Sequence, residues 1–184
     1  ASDAGAEILR AGGNAVDAAV ATGFALAVSY PRAGNLGGGG FMLIRSPDGS
    51  ATAIDYREKA PGRAHRDMYL DEKGKVVEGL STNGYLASGV PGTVAGLYMA
   101  WKNFGSLEWE DLVAPAVKLA GDGFIVSHAF SESLRNGAGR MSSFPESRRI
   151  FLRDGDFYQE GEVFRQPELA RTLALIRDKG SDRG

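Results

Sequence analysis

The stretch AVDAAVATGFALAV, residues 15–28, constrains this chain more than any other. Val16, Val20, Phe24 and Ala27 recur at helical spacing, and the opposite face is alanine-rich rather than polar. A helix that is apolar almost all round must be covered on most sides, so the remaining chain has to supply elements that pack around it. The run holds Asp17, Thr22 and Gly23 and is too short for a bilayer, which takes roughly 20 apolar residues. Nor does it follow a basic segment of the signal-peptide kind. The stretch therefore predicts a buried helix and no membrane span.

The neighbouring residues give that helix its ends. Ser2 is placed to cap a short preceding helix carrying Ile8 and Leu9, which Gly12-Gly13 closes in a left-handed turn. Asn14 caps the buried helix, Asp17 satisfies a first-turn amide, and Pro31 ends it. Next, Phe41 to Arg45 and Ala51 to Tyr56 are β-prone runs joined by Pro47-Asp48-Gly49, which predicts a hairpin. A glycine-containing coil leads to Pro91, expected to open a helix with Val94, Leu97, Tyr98 and Trp101 along one stripe. Leu112, Val113, Ala116 and Val117 mark another helix, kinked or restarted at Pro115. Ser127 starts a third, carrying Phe130 and Leu134. Arg140 to Glu146 reads as an exposed connection, and FLRDGDFY as a small hairpin around Asp154-Gly155. QPELARTLALIRDKG is a helix with Pro167 first and Leu169, Leu173 and Ile176 on one face.

This order predicts an α/β (α+β) fold over residues 1–184 as a single domain segment, with too few strands to close a sheet alone. A chain of 184 residues with 43% hydrophobic and 24% charged residues can bury a sizeable core. A formal charge of -2 without a basic run leaves no electrostatic footprint for nucleic acid. The absence of cysteine excludes disulfides, zinc-thiolate sites and thiol nucleophiles within these residues.

Candidate chemistry is sparse. LGGGG, Leu36 to Gly40, runs into a strand rather than opening a helix with Lys-Ser/Thr, so it is neither a P-loop nor a dinucleotide fingerprint. Glycines here instead let another backbone, or a tetrahedral intermediate, come near. His65 and His128 lack metal-ligand spacing, so no metal site is expected, and Ser88 in LASGV lacks the nucleophile elbow. No carboxylate pair and no convincing nucleophile stand out. There remains Arg57, at the strand end in AIDYREKAP. Its planar fork matches a carboxylate bidentately, and a strand end holds it on rigid backbone. Two roles are open to it on the residues alone, a salt bridge with Asp55 or Glu58, or a fixed cation for an anionic ligand.

Taken together, GGNAVDAAVA (Gly12 to Ala21), AGNLGGGGFMLI (Ala33 to Ile44), AIDYREKAP (Ala53 to Pro61) and SGVPGTVAGL (Ser88 to Leu97) resemble the γ-glutamyltranspeptidase, or glutathione hydrolase, family. The likeness is greatest to the periplasmic bacterial enzymes, and APAVKLAGDGFIVS (Ala114 to Ser127) and the Pro167 helix continue it across the chain. The resemblance implies an N-terminal nucleophile hydrolase, an αββα sandwich made as one precursor that cuts itself into large and small subunits. It implies γ-glutamyl transfer or hydrolysis on glutathione and similar amides, through an ester on the amino-terminal threonine of the small subunit. It further implies that Arg57 binds the α-carboxylate of the γ-glutamyl group.

The family's large subunit extends before Ala1 and beyond Gly184, so the resemblance makes these residues part of a large subunit and leaves the fold incomplete. No catalytic residue is expected within this chain, since Thr82, Thr93 and Thr172 are internal. The small subunit is the expected partner, no cofactor is implied, and the periplasm is the expected location. Cephalosporin or glutaryl acylases, poly-γ-glutamate-processing enzymes and a non-catalytic scaffold are the alternatives on the same fold.

Overall fold

The computed structural model describes residues 1–153 and 155–180. Along the described chain come α1 (Ser2–Arg10), α2 (Ala15–Ser29), β1 (Phe41–Arg45), β2 (Ala51–Asp55), α3 (Thr93–Phe104) and α4 (Trp109–Asp122). They are followed by β3 (Phe124–Ile125), α5 (His128–Ser142), α6 (Pro145–Phe151), β4 (Leu152–Arg153), β5 (Asp156–Phe157), β6 (Val163–Phe164) and α7 (Pro167–Lys179). Contacts group them into two compact units, one comprising Ala1–Asn35 and the chain from Leu97 onward, the other Leu36–Gly96. Among the described residues the strands pair as β1-β2, β3-β6 and β4-β5, the under-supplied sheet that the sequence predicts.

In the first unit, α2 packs against α1 and α4, and α4 against α7. Val20, Ala21, Phe24, Ala25 and Val28 of α2 are fully buried, so the helix is covered on several faces. Phe24 meets Trp109 edge-on at 5.4 Å between ring centroids, and Tyr98 meets Trp109 at 5.1 Å. Such pairs add about 0.5–1.5 kcal/mol beyond area burial. A second cluster gathers Val126, Phe130, Leu134 and Phe164, with Met141 and Phe151 against it.

Helix ends are tied down by polar groups. The Asn14 side chain accepts from the amides of Val16 (2.8 Å) and Asp17 (3.1 Å), while Asp17 Oδ2 accepts from the Asn14 amide at 2.9 Å, completing a capping box. Asn14 Nδ2 also donates to the Phe104 carbonyl at the end of α3, at 2.7 Å. Fully buried Asp17 accepts from the Ser106 amide at 3.0 Å and the Ser106 hydroxyl at 2.6 Å. Burial alone would raise its pKa, but bonds from the Ser106 side chain and the Asn14, Ser106 and Leu107 backbones outweigh it and hold the carboxyl below its ordinary value. Gln166, which precedes α7, donates its side chain to the Val28 carbonyl of α2 (3.0 Å) and its backbone amide to the Ala120 carbonyl of α4 (2.9 Å).

Several local expectations need correction. Ser2 lies inside α1 and the cap position is Ala1, without a side-chain bond, so Asp3 in the first turn is what complements the helix's positive end. Helix α3 opens at Thr93 rather than at Pro91, because the amides of Gly92 and Thr93 both turn to the Gly38 carbonyl, at 2.8 and 3.1 Å. Helix α4 runs through Pro115 without restarting. The carbonyl deprived of its helical donor belongs to Asp111, which is exposed. The expected connection from Arg140 to Glu146 is mostly helical, since α5 reaches Ser142 and Pro145 opens α6. Met141 packs on the aromatic cluster, a tertiary contact that extends the helix past its polar pattern. The small hairpin forms with Leu152 opposite Phe157 and Arg153 opposite Asp156, while its expected turn residue Asp154 lies outside the described residues.

The second unit is built on the β1-β2 hairpin, antiparallel with Phe41 opposite Asp55 and Arg45 opposite Ala51. Asp48 accepts from the Ser50 amide (2.9 Å) and hydroxyl (2.7 Å), and Gly49 takes φ +87°, where a glycine avoids strain.

Asp17→Ala leaves the Asn14 and Ser106 donors without their acceptor and is expected to cost about 1–3 kcal/mol in chemical unfolding. Because the folded carboxyl titrates below the unfolded one, its contribution is complete above ~3.9 and disappears as pH falls through the lower folded value. Asp17→Asn is accordingly expected to flatten part of the acid limb of the stability profile.

Candidate substrate-binding site

The site lies at the end of β2, within the second unit. The ladder continues one residue past the strand, with the Tyr56 amide donating to the Gly40 carbonyl at 3.0 Å. Three residues on, Lys59 and Val90 exchange both backbone bonds, Lys59 amide to Val90 carbonyl at 3.1 Å and the reverse at 2.8 Å. Tyr56, Arg57 and Glu58 are thus a short segment pinned at both ends. Asp55 Oδ1 accepts the Arg57 amide at 2.9 Å, an Asx turn that steers the chain off the strand.

Glycines crowd this segment. A Cβ on Gly39 would lie 2.4 Å from the Tyr56 carbonyl oxygen and 2.8 Å from the Arg57 Cα, and one on Gly92 would lie 2.1 Å from the same oxygen. The backbones therefore approach at distances that only a residue without Cβ permits. That is the close-approach role the sequence assigns to LGGGG, and Gly40 leads directly into β1.

The Arg57 side chain is 62% exposed. Its Nε stands 3.4 Å from Glu58 Oε2, long beside the ~2.7–2.9 Å of a strong charge-assisted bond. Its Cζ lies 5.8 Å from the centroid of the Phe41 ring, a cation–π contact. Asp55 engages the backbone of Arg57 and not its guanidinium. Glu58 is held below its ordinary pKa, first by its own backbone amide and then by the Arg57 guanidinium, against a burial penalty. Among the described residues, no acceptor engages the terminal guanidinium nitrogens. The arrangement presents solvent-facing terminal nitrogens on pinned backbone, a fork able to take a carboxylate bidentately. Its supports are Gly39, within the LGGGG that the sequence assigns to close approach, and Phe41 and Gly92, which sequence reasoning did not single out. The signal available for them was the recurrence of glycine on both sides of the hairpin.

His65 belongs to the second unit and His128 to the first, where His128 Nδ1 lies 3.2 Å from Glu160. Ser88 is exposed after a short 3-10 turn, Tyr85–Ala87, with its amide on the Tyr85 carbonyl at 3.3 Å. Among the described residues no group of three His, Asp or Glu side chains gathers as metal ligands, and no helix is long and apolar enough to cross a membrane.

Known structures share this architecture. The γ-glutamyltranspeptidase of Helicobacter pylori superposes with a TM-score of 0.94 at 47% identity, over 97% of this chain and 52% of that one. The γ-glutamyltranspeptidase from Pseudomonas nitroreducens complexed with L-DON gives 0.89 at 49% identity, over 98% and 52%. The fold is thus the α+β fold of an N-terminal nucleophile hydrolase, covered here in part. A family model described as Gamma-glutamyltranspeptidase matches residues 1–183, and the chain belongs to that family. It is 49% identical over 183 residues to the glutathione hydrolase proenzyme of Escherichia coli K12, covering 99% of this chain and 32% of that protein. The chain spans about a third of the length of the curated relatives it matches.

Gly92→Ala drives a methyl against the Tyr56 carbonyl oxygen, and backbone cannot yield as a flexible side chain can. The full-length protein carrying it is expected to lose about 1–3 kcal/mol in chemical unfolding, whereas Gly37→Ala, where a Cβ meets nothing within 4 Å, is expected to lose far less.

Proposed function

We propose that this chain is part of the large subunit of a γ-glutamyltransferase/glutathione hydrolase and that Arg57 binds the α-carboxylate of the γ-glutamyl donor. The observation that carries the reading is a guanidinium on doubly pinned backbone whose terminal nitrogens no described residue engages. A partner so exposed as Glu58 adds little on its own, since surface ion pairs are typically worth ~0–1 kcal/mol. A substrate carboxylate enclosed in the assembled enzyme gains far more, because truncating one partner of a desolvated charge pair costs about 2–5 kcal/mol.

The nucleophile comes from a second polypeptide of the same precursor, whose amino-terminal threonine attacks the γ-glutamyl amide. Its own α-amine, with a pKa near ~7.7–8.0, takes the hydroxyl proton and returns it to the leaving amine as the amide C–N bond breaks, which frees that amine and leaves a γ-glutamyl ester on the threonine. The γ-glutamyl ester then passes to water or to an acceptor amine. Arg57 acts throughout as an anchor: it holds the donor's far end so that the γ-carbonyl falls at the nucleophile. Glutathione and related γ-glutamyl amides are the substrates, and the complete protein works in the periplasm. The relatives' designation as proenzymes supports a precursor that is processed.

Arg57→Ala in the complete enzyme is expected to weaken donor binding by an amount corresponding to about 2–5 kcal/mol. Arg57→Lys should fall between it and the parent, because an ammonium replaces the fork. Steady-state kinetics with a γ-glutamyl anilide measures both, and unchanged donor kinetics removes Arg57 from the site. Comparing γ-glutamyl with glutaryl amides in the same assay separates this reading from an acylase.

A further inference from the structure

Tyr56, immediately before the guanidinium-bearing residue, sits in a slot walled by glycine. A Cβ on Gly96 would fall 2.2 Å from the Tyr56 Cγ and 2.3 Å from its Cβ. One on Gly40 would fall 3.0 Å from Cε2 and 3.2 Å from both Cζ and the hydroxyl oxygen. Gly96 is buried in the first turn of α3, a place where glycine costs ~1 kcal/mol relative to alanine. The ring explains why that cost is borne, since any larger residue at position 96 would displace it. Gly96 meets the base of the side chain and Gly40 the far end of its ring. Among the described residues no hydrogen bond engages the hydroxyl, so the fit is one of ring shape.

We propose that Tyr56 is a positioning residue for donor recognition, its ring locked between Gly40 and Gly96 so that the adjoining Arg57 is held in one orientation. The proposal rests on the assignment of Arg57 as the carboxylate anchor. The hydrogen bonds at Gly40 and Val90, the Asp55–Arg57 turn and the close passes of Gly39 and Gly92 set the backbone of this segment, and the Tyr56 ring adds a side-chain anchor directly beside Arg57. Positioning of this kind acts on donor binding, because the anchor contact is made equally in the bound donor and in the transition state.

The test is steady-state kinetics of the complete, processed enzyme on a γ-glutamyl anilide. Tyr56→Leu is expected to raise KM about tenfold while kcat stays within about twofold. Tyr56→Phe keeps the ring and is expected to restore the parental KM. Gly40→Ala presses on the ring end and is expected to raise KM in the same manner, and it carries the same test if Tyr56→Leu is not recovered as processed enzyme. A parental KM in Tyr56→Leu and Gly40→Ala, a loss carried by kcat, or a failure of Tyr56→Phe to restore KM overturns the proposal. Arg57→Ala measured alongside separates the two levels. An unchanged KM there removes the anchor itself, whereas a raised KM there with parental slot variants removes only the role of Tyr56.

Discussion

One carboxylate, Asp17, organises the helical unit. Fully buried at the start of α2, it caps its own helix through the Asn14 amide and takes the backbone and hydroxyl of Ser106 in the link between α3 and α4. Asn14 completes the joint by donating to the last turn of α3. A buried charge without such partners would cost several kcal/mol, so the network must be formed in full or the packing around it fails. With it formed, the N-terminus of α2 and the α3–α4 link are fixed together. The apolar body of α2 then finds α1 and α4 at a defined register, and the Phe24–Trp109 contact follows.

The second unit solves a different problem with a different device. Its hairpin is short and its core small, with Ile54 buried but Leu43 84% exposed. Rigidity at the strand end comes from backbone held against backbone, with glycine at each crossing. Gly39 and Gly92 pass the carbonyl of Tyr56 so closely that the chain has no room for alternatives. This is how a solvent-facing arginine gains a fixed base, and a cation on a fixed base can recognise an anion with little ordering cost.

Much of this was legible in the residues. The period of α2, the Asn14 cap, the Pro-Asp-Gly turn and the Pro167 start each depend on local chemistry, and the structure forms them all. Family membership was legible too, from four stretches in order and their spacing. Two of the misplacements fell where a distant contact meets the local signal. Met141 prolongs α5 by packing on the aromatic cluster, and Gly38 delays α3 by taking the Gly92 and Thr93 amides. The surroundings of Arg57 were hidden for the same reason. A glycine shows in sequence only that something comes near, and the neighbour's identity, here the chain at Tyr56, is settled by the fold.

Gln166 carries a consequence for how the molecule opens. One residue engages carbonyls of both α2 and α4, through its amide side chain and its backbone, just where α7 begins. Detaching α7 would strand both acceptors and uncover Leu173 and Ile176 as well. The helix should therefore not fray independently. Its amides are expected to exchange with solvent cooperatively with those of α2 and α4.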